Sequence, residues 1–551
     1  MEPVRTLPRK SLLFVGLIWL CFLARGLFYC SFLPLWEGYD EWAHFAYVER
    51  LVTTGGFLVD REAPVSLEVQ ASLKSAPVPW ESRGMQKLAV TEDEYWRLPP
   101  DQRAERQLQL SAIPQSQSHL TDPSGPRIYE GLQPPLYYWL LSVPYRILRN
   151  ESLVDRVFFL RYVSLIIASF SVPLVFLVAY RVIGSAAAAL GASALLAAAP
   201  EFMVDVCRVG NECLGVVLYS WLILLCLDQA NGRVPRRTGI WAGIALGLGL
   251  LTKAYFLTAV AALSVLYLWR IWKAPKERRA LACNAATTFG VVLLMGGWWY
   301  IRNRVISGTW SGLNESVMLR QYGWRQLLDG IGHVRWGRAI DSILVSHVWF
   351  GGWSSLAVRS WIYHVLFIVA AVSVAGVASA LWRSTPAGRS SLYPLLAFYA
   401  CFWLGQFYNV LLLFLSKGAS TSMGWYMYCV VAAESTLLVV GLRSLVPRSS
   451  RPWVLSALIV CLVALDLYTV HFVSIPYYTG LIAHRPDGAL AAFHLSQLHR
   501  IGLPGVLDRL SANKALWLKP TTLRTIWVCY GGASVSLIGL SFCLGCAKDL
   551  E

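Results

Sequence analysis

Charged residues are scarce in this chain. Asp, Glu, Lys and Arg make up only 15% of its 551 residues, whereas 56% of the residues are hydrophobic. Because soluble domains carry roughly a quarter charged residues, this deficit excludes an ordinary soluble protein. Apolar runs of membrane-spanning length recur from one end of the chain to the other. The sequence therefore predicts an all-α polytopic membrane protein with about 12–13 transmembrane helices.

The sequence also lacks paired cysteine motifs and glycine-rich phosphate loops. The 12 cysteines lie mostly inside apolar runs, and the CxxC of Cys543 and Cys546 has neither a second pair nor a histidine beside it. This spacing favours neither a zinc site nor a disulfide framework. No Walker or dinucleotide fingerprint is present, so a soluble nucleotide cofactor is not expected.

The chain does have an excess of basic residues. It contains 48 Lys and Arg against 32 Asp and Glu, which gives a net charge of +16. Most of the excess lies in short loops between apolar runs, as the positive-inside rule predicts for the cytoplasmic side. We therefore expect a lipid bilayer and lipid phosphates as partners, and no nucleic acid.

The alternation of apolar runs and basic loops predicts seven regions, with both termini in the cytoplasm. A first transmembrane helix, read as uncleaved rather than as a signal peptide, precedes a large extracytoplasmic loop. The run 134–148 is short for a full pass, and whether it spans is left open. The regions are 1–33 (helix), 34–133 (extracytoplasmic loop), 134–301 (helices of a catalytic module), 302–359 (extracytoplasmic loop), 360–474 (helices), 475–523 (extracytoplasmic segment) and 524–551 (last helix and tail).

Two apolar stretches are predicted to fold back on the outer side. The stretch 239–269 is too long for one ordinary pass and has basic loops on both sides, so its turn falls near Lys253. The stretch 185–228 turns between Pro200 and Glu212. Both turns then lie on the same side as the large loop.

An acidic cluster follows the first predicted helix. If the segment is helical, Asp40 and His44 share a face at i and i+4, and Glu41 reaches His44 at i+3. Two carboxylates beside a histidine are suited to general-base chemistry or to a divalent ion such as Mg²⁺ or Mn²⁺. The structural alternative is a solvated helix start, where acidic residues are favoured by the helix dipole.

Three cations are predicted on the outer side. A lysine within apolar sequence, Lys253, is a functional hypothesis by default, with snorkelling to the interface as its alternative. Arg302 and Arg304 lie outside against the positive-inside bias, so they are candidates for binding phosphate or for anchoring on headgroups.

Short motifs occur in order along the chain, with weaker continuations at 350–353 and 424–426. They are Asp40–Phe45, Gln133–Tyr138, Asn211–Glu212, Leu251–Lys253 and Arg302–Asn303. As an ordered set they resemble the GT-C class of membrane glycosyltransferases, which includes the lipid A aminoarabinose transferases and protein O-mannosyltransferases. The nearer likeness is to a poorly characterised bacterial branch of that class.

The resemblance implies an inverting sugar transfer from a polyprenyl-phosphate donor to a glycan, lipid or protein of the cell envelope. It implies a bacterial inner membrane, with the active site on the periplasmic side. Asp40 would be the catalytic carboxylate, supported by Glu41 and His44. The donor phosphate would be bound by Lys253, Arg302, Arg304 and Gln133. Substrate would be lined by Trp42, Tyr137, Tyr138, Asn211 and Glu212.

This chain departs from the pattern of its apparent relatives at three positions. Gln133 stands where the aminoarabinose branch has a lysine, and Trp425 stands where a related branch has an arginine. The Asn-x-Asp turn is altered to Asn211-Glu212-Cys213.

Other classes of membrane protein are less well matched by the sequence. A lipid or polysaccharide transporter is expected to have paired halves with broken helices, and no internal repeat is found. An oligosaccharide ligase or polymerase usually has its large loop late in the chain, whereas here the large loop comes early. A noncatalytic scaffold leaves Asp40, Lys253 and Arg302 without a role.

Overall fold

The computed structural model consists of helices and the loops that join them. It describes residues 9–84, 89–230 and 236–546, and those residues contain no β-strand beyond isolated bridges. The α-helices are α1 Arg9–Phe32, α2 Glu41–Thr54, α3 Leu67–Ser75, α4 Glu92–Tyr95, α5 Pro100–Ser111, α6 Leu136–Ile147, α7 Leu153–Ser169, α8 Ser171–Ile183, α9 Ala186–Ala198, α10 Pro200–Val206, α11 Glu212–Ala230, α12 Arg236–Leu250, α13 Phe256–Lys273, α14 Arg278–Val292, α15 Trp298–Ser307, α16 Asn314–Met318, α17 Trp324–His333, α18 Trp336–Val348, α19 Ser360–Arg383, α20 Pro386–Lys417, α21 Val431–Leu445, α22 Arg451–Tyr468, α23 Ile475–Tyr478, α24 Gly502–Ser511 and α25 Pro520–Cys546.

Ten helical stretches within the described residues are long and apolar enough to cross a membrane. The number is eleven if α9 and α10, which are bent by 65° at their junction, form one span. A further apolar helix, Thr238–Leu250, is shorter than these stretches. The predicted all-α polytopic architecture is confirmed, with ten or eleven candidate spans among the described residues. The protein is a multi-pass membrane protein.

Helix α6 is too short to cross the hydrocarbon layer of a bilayer by itself. The helix is 12 residues long. A helix of that length extends about 18 Å, because each residue adds about 1.5 Å, whereas the hydrocarbon layer is about 30 Å thick. One face buries Tyr137, Tyr138 and Tyr145, whereas Leu140 and Val143 are exposed. This pattern is typical of a helix that lies in the membrane interface.

Both predicted hairpin turns are confirmed. Helices α12 and α13 are separated by residues 251–255, and α10 is separated from α11 by residues 207–211. A backbone hydrogen bond of 2.9 Å from Leu136 N to Leu251 O joins the first turn to the start of α6. The turns and the large loop therefore meet at one end of the helix assembly.

A buried ion pair joins the first and last long helices to the middle of the bundle. Arg25 Nη2 of α1 lies 2.8 Å from Asp466 Oδ2 of α22, and both side chains are fully buried. Two phenols also donate to this carboxylate, Tyr29 over 2.6 Å and Tyr530 over 2.5 Å. The cluster thus links α1, α22 and α25.

The Asp466→Asn substitution is expected to destabilise the fold. It removes the counter-ion of Arg25, and an uncompensated buried charge costs about 3–5 kcal/mol. The double variant Arg25→Met with Asp466→Asn should recover much of this loss, because no unpaired charge remains. Thermal unfolding in detergent measures both variants. Equal melting temperatures for the single variant and the wild type would contradict a stabilising role for the pair.

Candidate functional site

Asp40 occupies the junction between α1 and α2. Its backbone is in the left-handed region, with φ 56° and ψ 18°, at the N-cap of α2, yet its side chain makes no capping bond. Non-glycine residues adopt this conformation rarely, and such strain concentrates at functional sites. The carboxylate is half-buried and accepts a hydrogen bond of 2.7 Å from Tyr129 Oη. Among the described residues no group donates to the other carboxylate oxygen, so the turn presents Asp40 as an acceptor.

Glu41 has a different environment from its neighbour. Its two oxygens accept from Arg161 Nε (2.7 Å) and Nη2 (2.5 Å), and Val209 N donates to it over 3.1 Å. Both side chains of the ion pair are fully buried. Successive side chains on a helix point about 100° apart, so Glu41 packs against α7 while Asp40 remains at the turn. Glu41 thus joins the start of α2, next to Asp40, to Arg161 of α7.

The candidate metal site of Asp40, Glu41 and His44 is not formed. Across residues 9–84, 89–230 and 236–546, no group of three His, Cys, Asp or Glu side chains is placed to hold a metal ion. The reason is the pairing of each member with a different neighbour: Glu41 with Arg161, and His44 with Tyr138.

His44, Tyr138 and Glu130 form a buried polar column next to Asp40. His44 Nδ1 lies 2.8 Å from Tyr138 Oη and 3.6 Å from Glu130 Oε2. Burial, followed by the nearby Arg208 and Lys253 cations, lowers the pKa of His44 well below its usual range, so the imidazole is neutral at neutral pH.

Glu130 is the carboxyl at the other end of that column. Burial, and then the charge of Asp40, raise the pKa of Glu130 to about 8. Tyr138 donates to it over 3.5 Å. The raised pKa favours the protonated form of Glu130 at neutral pH.

Lys253 lies in the α12–α13 turn within a buried charge network. It forms an ion pair with Glu212, whose second oxygen is 2.8 Å from Arg208 Nη2. Arg208 also pairs with Asp205 at 3.0 Å. Burial lowers the pKa of Lys253, and the neighbouring Arg208 acts in the same direction while Glu130 opposes it. Asn211 donates to Thr252 O over 3.2 Å, so its amide fastens the two turns together.

The two predicted arginines of α15 differ in their contacts. Arg304 is exposed, and its guanidinium donates to Gly308 O at the end of the helix. Arg302 is half-buried, with its guanidinium 5.0 Å from the centre of the Trp299 ring. In the described part of the chain, Arg302 has no ion-pair partner. The carbonyl oxygen of the Gln133 amide is buried and also lacks a hydrogen-bond partner among described groups.

The predicted lining residues divide into two groups. Trp42 packs edge-on against Tyr129 at 5.2 Å, beside Asp40. Tyr138 belongs to the buried column. The hydroxyl of Tyr137 is instead hydrogen-bonded to Ser164 Oγ, and Gly210 N donates to it over 2.9 Å. Tyr137 therefore braces the 207–211 turn.

Sequence reasoning assigned no role to several residues that complete the site. Two of them, Tyr129 and Glu130, precede the proline pair, and a third, Arg208, lies in the second turn. The rings of Tyr255 and Tyr426 lie 4.7 Å and 5.5 Å from Lys253 Nζ. A polar Tyr-Glu pair just before the Gln-Pro-Pro segment was the available signal for the first two. Trp425, one of the positions where this chain departs from the expected motif, stacks on Tyr39 at 3.6 Å.

The protonation of Glu130 is directly measurable. We expect an infrared carbonyl band of a protonated carboxyl at pH 7 that disappears as the pH rises through about 8. Because other buried carboxyls absorb nearby, the band is isolated as the difference between the wild type and Glu130→Gln. The variant Asp122→Asn, in another part of the same loop, should leave it unchanged. A difference spectrum without a carbonyl band at pH 7 would show that Glu130 is ionised.

Comparisons with known proteins were made for the sequence and for the fold. Residues 132–299 match the sequence profile of a family described as dolichyl-phosphate-mannose-protein mannosyltransferase. That segment includes Gln133, the two turns, Glu212 and Lys253. A search of curated proteins found no match.

Solved structures of two proteins resemble the fold at a distance. ArnT from Cupriavidus metallidurans, solved bound to undecaprenyl phosphate, has a TM-score of 0.48 and 14% identity, over 97% of this chain and 77% of that one. The oligosaccharyltransferase AglB from Archaeoglobus fulgidus, solved with an inhibitory peptide and a dolichol phosphate, has a TM-score of 0.41 and 13% identity, over 96% and 56%.

These two likenesses are too distant to transfer residue roles, which rest on the geometry of this chain. The profile match falls on the segment that contributes Gln133, the turns and Lys253 to the site. Together with the ordered motifs and the multi-pass helical architecture, it confirms the predicted resemblance of this chain to the GT-C class of membrane glycosyltransferases.

Proposed function

We propose that this protein transfers a sugar, with inversion, from a polyprenyl-phosphate donor to a hydroxyl of a cell-envelope glycan, lipid or protein. The reaction would take place on the periplasmic face of a bacterial inner membrane. The observation that carries the proposal is Asp40: a carboxylate on a strained turn, half-buried and with one open oxygen, beside cations at the membrane end of the bundle. The match of residues 132–299 to a lipid-phosphate-sugar-dependent family supports the class of donor.

Asp40 is suited to act as the general base. The acceptor oxygen attacks the anomeric carbon while its proton passes to the Asp40 carboxylate. The bond from that carbon to the phosphate oxygen breaks, and its electron pair leaves with the polyprenyl phosphate. Tyr129 holds one carboxylate oxygen and leaves the other for the acceptor. Geometry of this kind is the first requirement of a general base.

The protonated state of Glu130 favours this chemistry. A second ionised carboxylate near Asp40 would repel both that base and the phosphate of the donor. The raised pKa of Glu130 keeps it neutral at neutral pH, and neutral His44 adds no charge of its own. Asp40 then remains the carboxylate that reacts with the acceptor, next to a column of uncharged side chains.

Arg302 is the best-placed group for the donor phosphate. It has no acidic partner among the described residues, whereas Lys253 is already paired with Glu212 and Arg304 donates to the end of its own helix. Guanidinium groups bind phosphate oxygens in bidentate fashion. Lys253 then acts more weakly, as a second positive charge that stabilises the departing phosphate.

A path for the lipid chain leads to Arg302 from the bilayer. Phe57, Trp139 and Trp298 form an aromatic cluster with ring centres 4.5–6.4 Å apart, one helical turn before Arg302. Exposed apolar side chains extend from it on α6 and on the helical stretch that ends with α15, namely Leu140, Val143, Leu294 and Ile301. We assign the polyprenyl chain to this aromatic-lined surface.

The Asp40→Asn variant tests the proposed reaction. Loss of the general base is expected to reduce turnover about 10²–10⁴-fold. The purified proteins are incubated in nanodiscs with radiolabelled polyprenyl-phosphate sugars and membrane extract, with and without chelator, and loss of sugar from the donor is counted. Asp60→Asn, which changes an exposed acid of the same loop, is the matched control.

Two outcomes of this assay would count against the proposal. Turnover by Asp40→Asn at the wild-type rate would remove Asp40 as the base. Donor binding without turnover by the wild type, across the whole panel, would favour a lipid transporter instead. A fall of wild-type activity with chelator would assign a metal ion to the reaction.

The assignment of the donor phosphate predicts a contrast between the two arginines of α15. Arg302→Gln is expected to raise the KM for the donor about 10- to 100-fold, because a hydrogen bond to a charged group is worth about 1.5–3 kcal/mol. Arg304→Gln should change it little. Initial rates against donor concentration measure both variants, and equal effects would remove the distinction.

A further inference from the structure

Helix α17 is amphipathic and is only partly covered by the rest of the protein. One flank, formed by Leu327, Gly330 and Val334, lies against the end of α20. The approach is close, since a Cβ added at Gly330 would lie 2.8 Å from Leu415 Cδ2. This contact fixes the position of α17 on the bundle.

The adjoining flank of α17 is apolar and exposed. Trp324, Leu328 and Ile331 lie on one face at i, i+4 and i+7, and they are 67%, 57% and 43% exposed. The opposite side of the helix is polar, and there His333 Nδ1 lies 2.9 Å from Asp329 O one turn earlier. An exposed apolar stripe of this kind indicates a surface that another molecule or a membrane covers.

The position of α17 along the membrane-spanning helix α20 indicates what covers the apolar stripe. Its contacts on α20, Leu411 and Leu415, lie six and two residues before the end of that helix at Lys417. Helix α20 belongs to a stretch long and apolar enough to span the membrane. At about 1.5 Å per residue, α17 therefore lies within about 9 Å of the end of that span. This is the level of the boundary between headgroups and acyl chains, where amphipathic helices rest.

The charge of the surrounding segment is complementary to anionic headgroups. Residues 302–341 contain six arginines and no lysine against three acidic residues. One of these acids, Glu315, is already paired with Lys417 at 2.7 Å. Arg320 and Arg325 are exposed, and the Arg325 guanidinium lies 5.4 Å from the centre of the Trp324 ring of the stripe. Arginines with exposed tryptophan are typical of a surface that binds lipid phosphates.

We propose that the uncovered flank of α17 inserts into the bilayer interface and that Arg320 and Arg325 bind the phosphates of anionic lipid headgroups there. The surface continues the lipid-facing side of α15, where Ile301 and Val305 are exposed. The segment 305–338 is thus an interfacial anchor that joins α15 to the outer end of α20.

Photocrosslinking in nanodiscs tests the insertion. The photoreactive residue p-benzoylphenylalanine replaces Leu328 on the apolar flank or, as a matched exposed control on the polar side, His333. Nanodiscs contain phosphatidylcholine with or without phosphatidylglycerol, and adducts are identified by mass spectrometry. We expect about tenfold more lipid adduct at position 328 than at 333. Equal lipid adducts at the two positions, or crosslinks from position 328 to a second copy of the chain, would overturn the proposal.

The headgroup preference has its own test. Adducts at position 328 are expected to be enriched in phosphatidylglycerol over its share of the nanodisc, and the double change Arg320→Gln with Arg325→Gln should abolish that enrichment. Arg304→Gln serves as the control. An unchanged melting temperature shows that the double variant is folded. Enrichment that persists in it would assign the lipid preference to other groups.

Discussion

A charge removed from water must be compensated, and this constraint determines how the large loop between α1 and α6 sits on the helix bundle. Arg156, Arg161 and Arg208 are almost completely buried. Each is paired with carboxylates from other segments or turns, and removing one partner of such a pair costs about 3–5 kcal/mol. The pairing of Arg161 with Glu41 therefore fixes the start of α2, and with it the position of Asp40.

Against this background of paired charges, the exceptions are informative. Asp40 keeps an open carboxylate oxygen, and Arg302 has no acidic partner among the residues described. Both residues lie near the polar column of His44, Tyr138 and Glu130. Tyr47 stacks on Tyr138 of that column. Burial raises the pKa of Tyr47, and the nearby Arg302 cation acts in the opposite direction. An unpaired anion and an unpaired cation at one end of the bundle suit the proposed transfer of a sugar from a lipid phosphate to an acceptor hydroxyl.

The sequence predicted the features that depend on local patterns. Length and hydropathy located the spans, and basic loops located the turns that carry Lys253 and Asn211, because membrane thickness and positive-inside bias act on short stretches. The ion-pair partner of each buried charged residue was not predictable in the same way. Glu41 lies beside Asp40 in sequence, yet it pairs with a residue 120 positions away. That pairing depends on how α2 packs on α7, and one sequence without its fold does not specify it.

The same limitation explains why Arg302 and Arg304 looked equivalent. They are two positions apart in the sequence, and both were predicted on the side where arginines are rare. On a helix, that separation turns their side chains about 160° apart from one another. Arg304 caps its own helix, whereas Arg302 lies over Trp299 on the side of the aromatic cluster. The helix that presents Arg302 then continues into the segment that carries α17. If α17 rests in the headgroup layer, it sets the height of Arg302 relative to the lipid phosphates. A polyprenyl phosphate that diffuses in the bilayer would then meet the guanidinium at its own depth, without leaving the membrane.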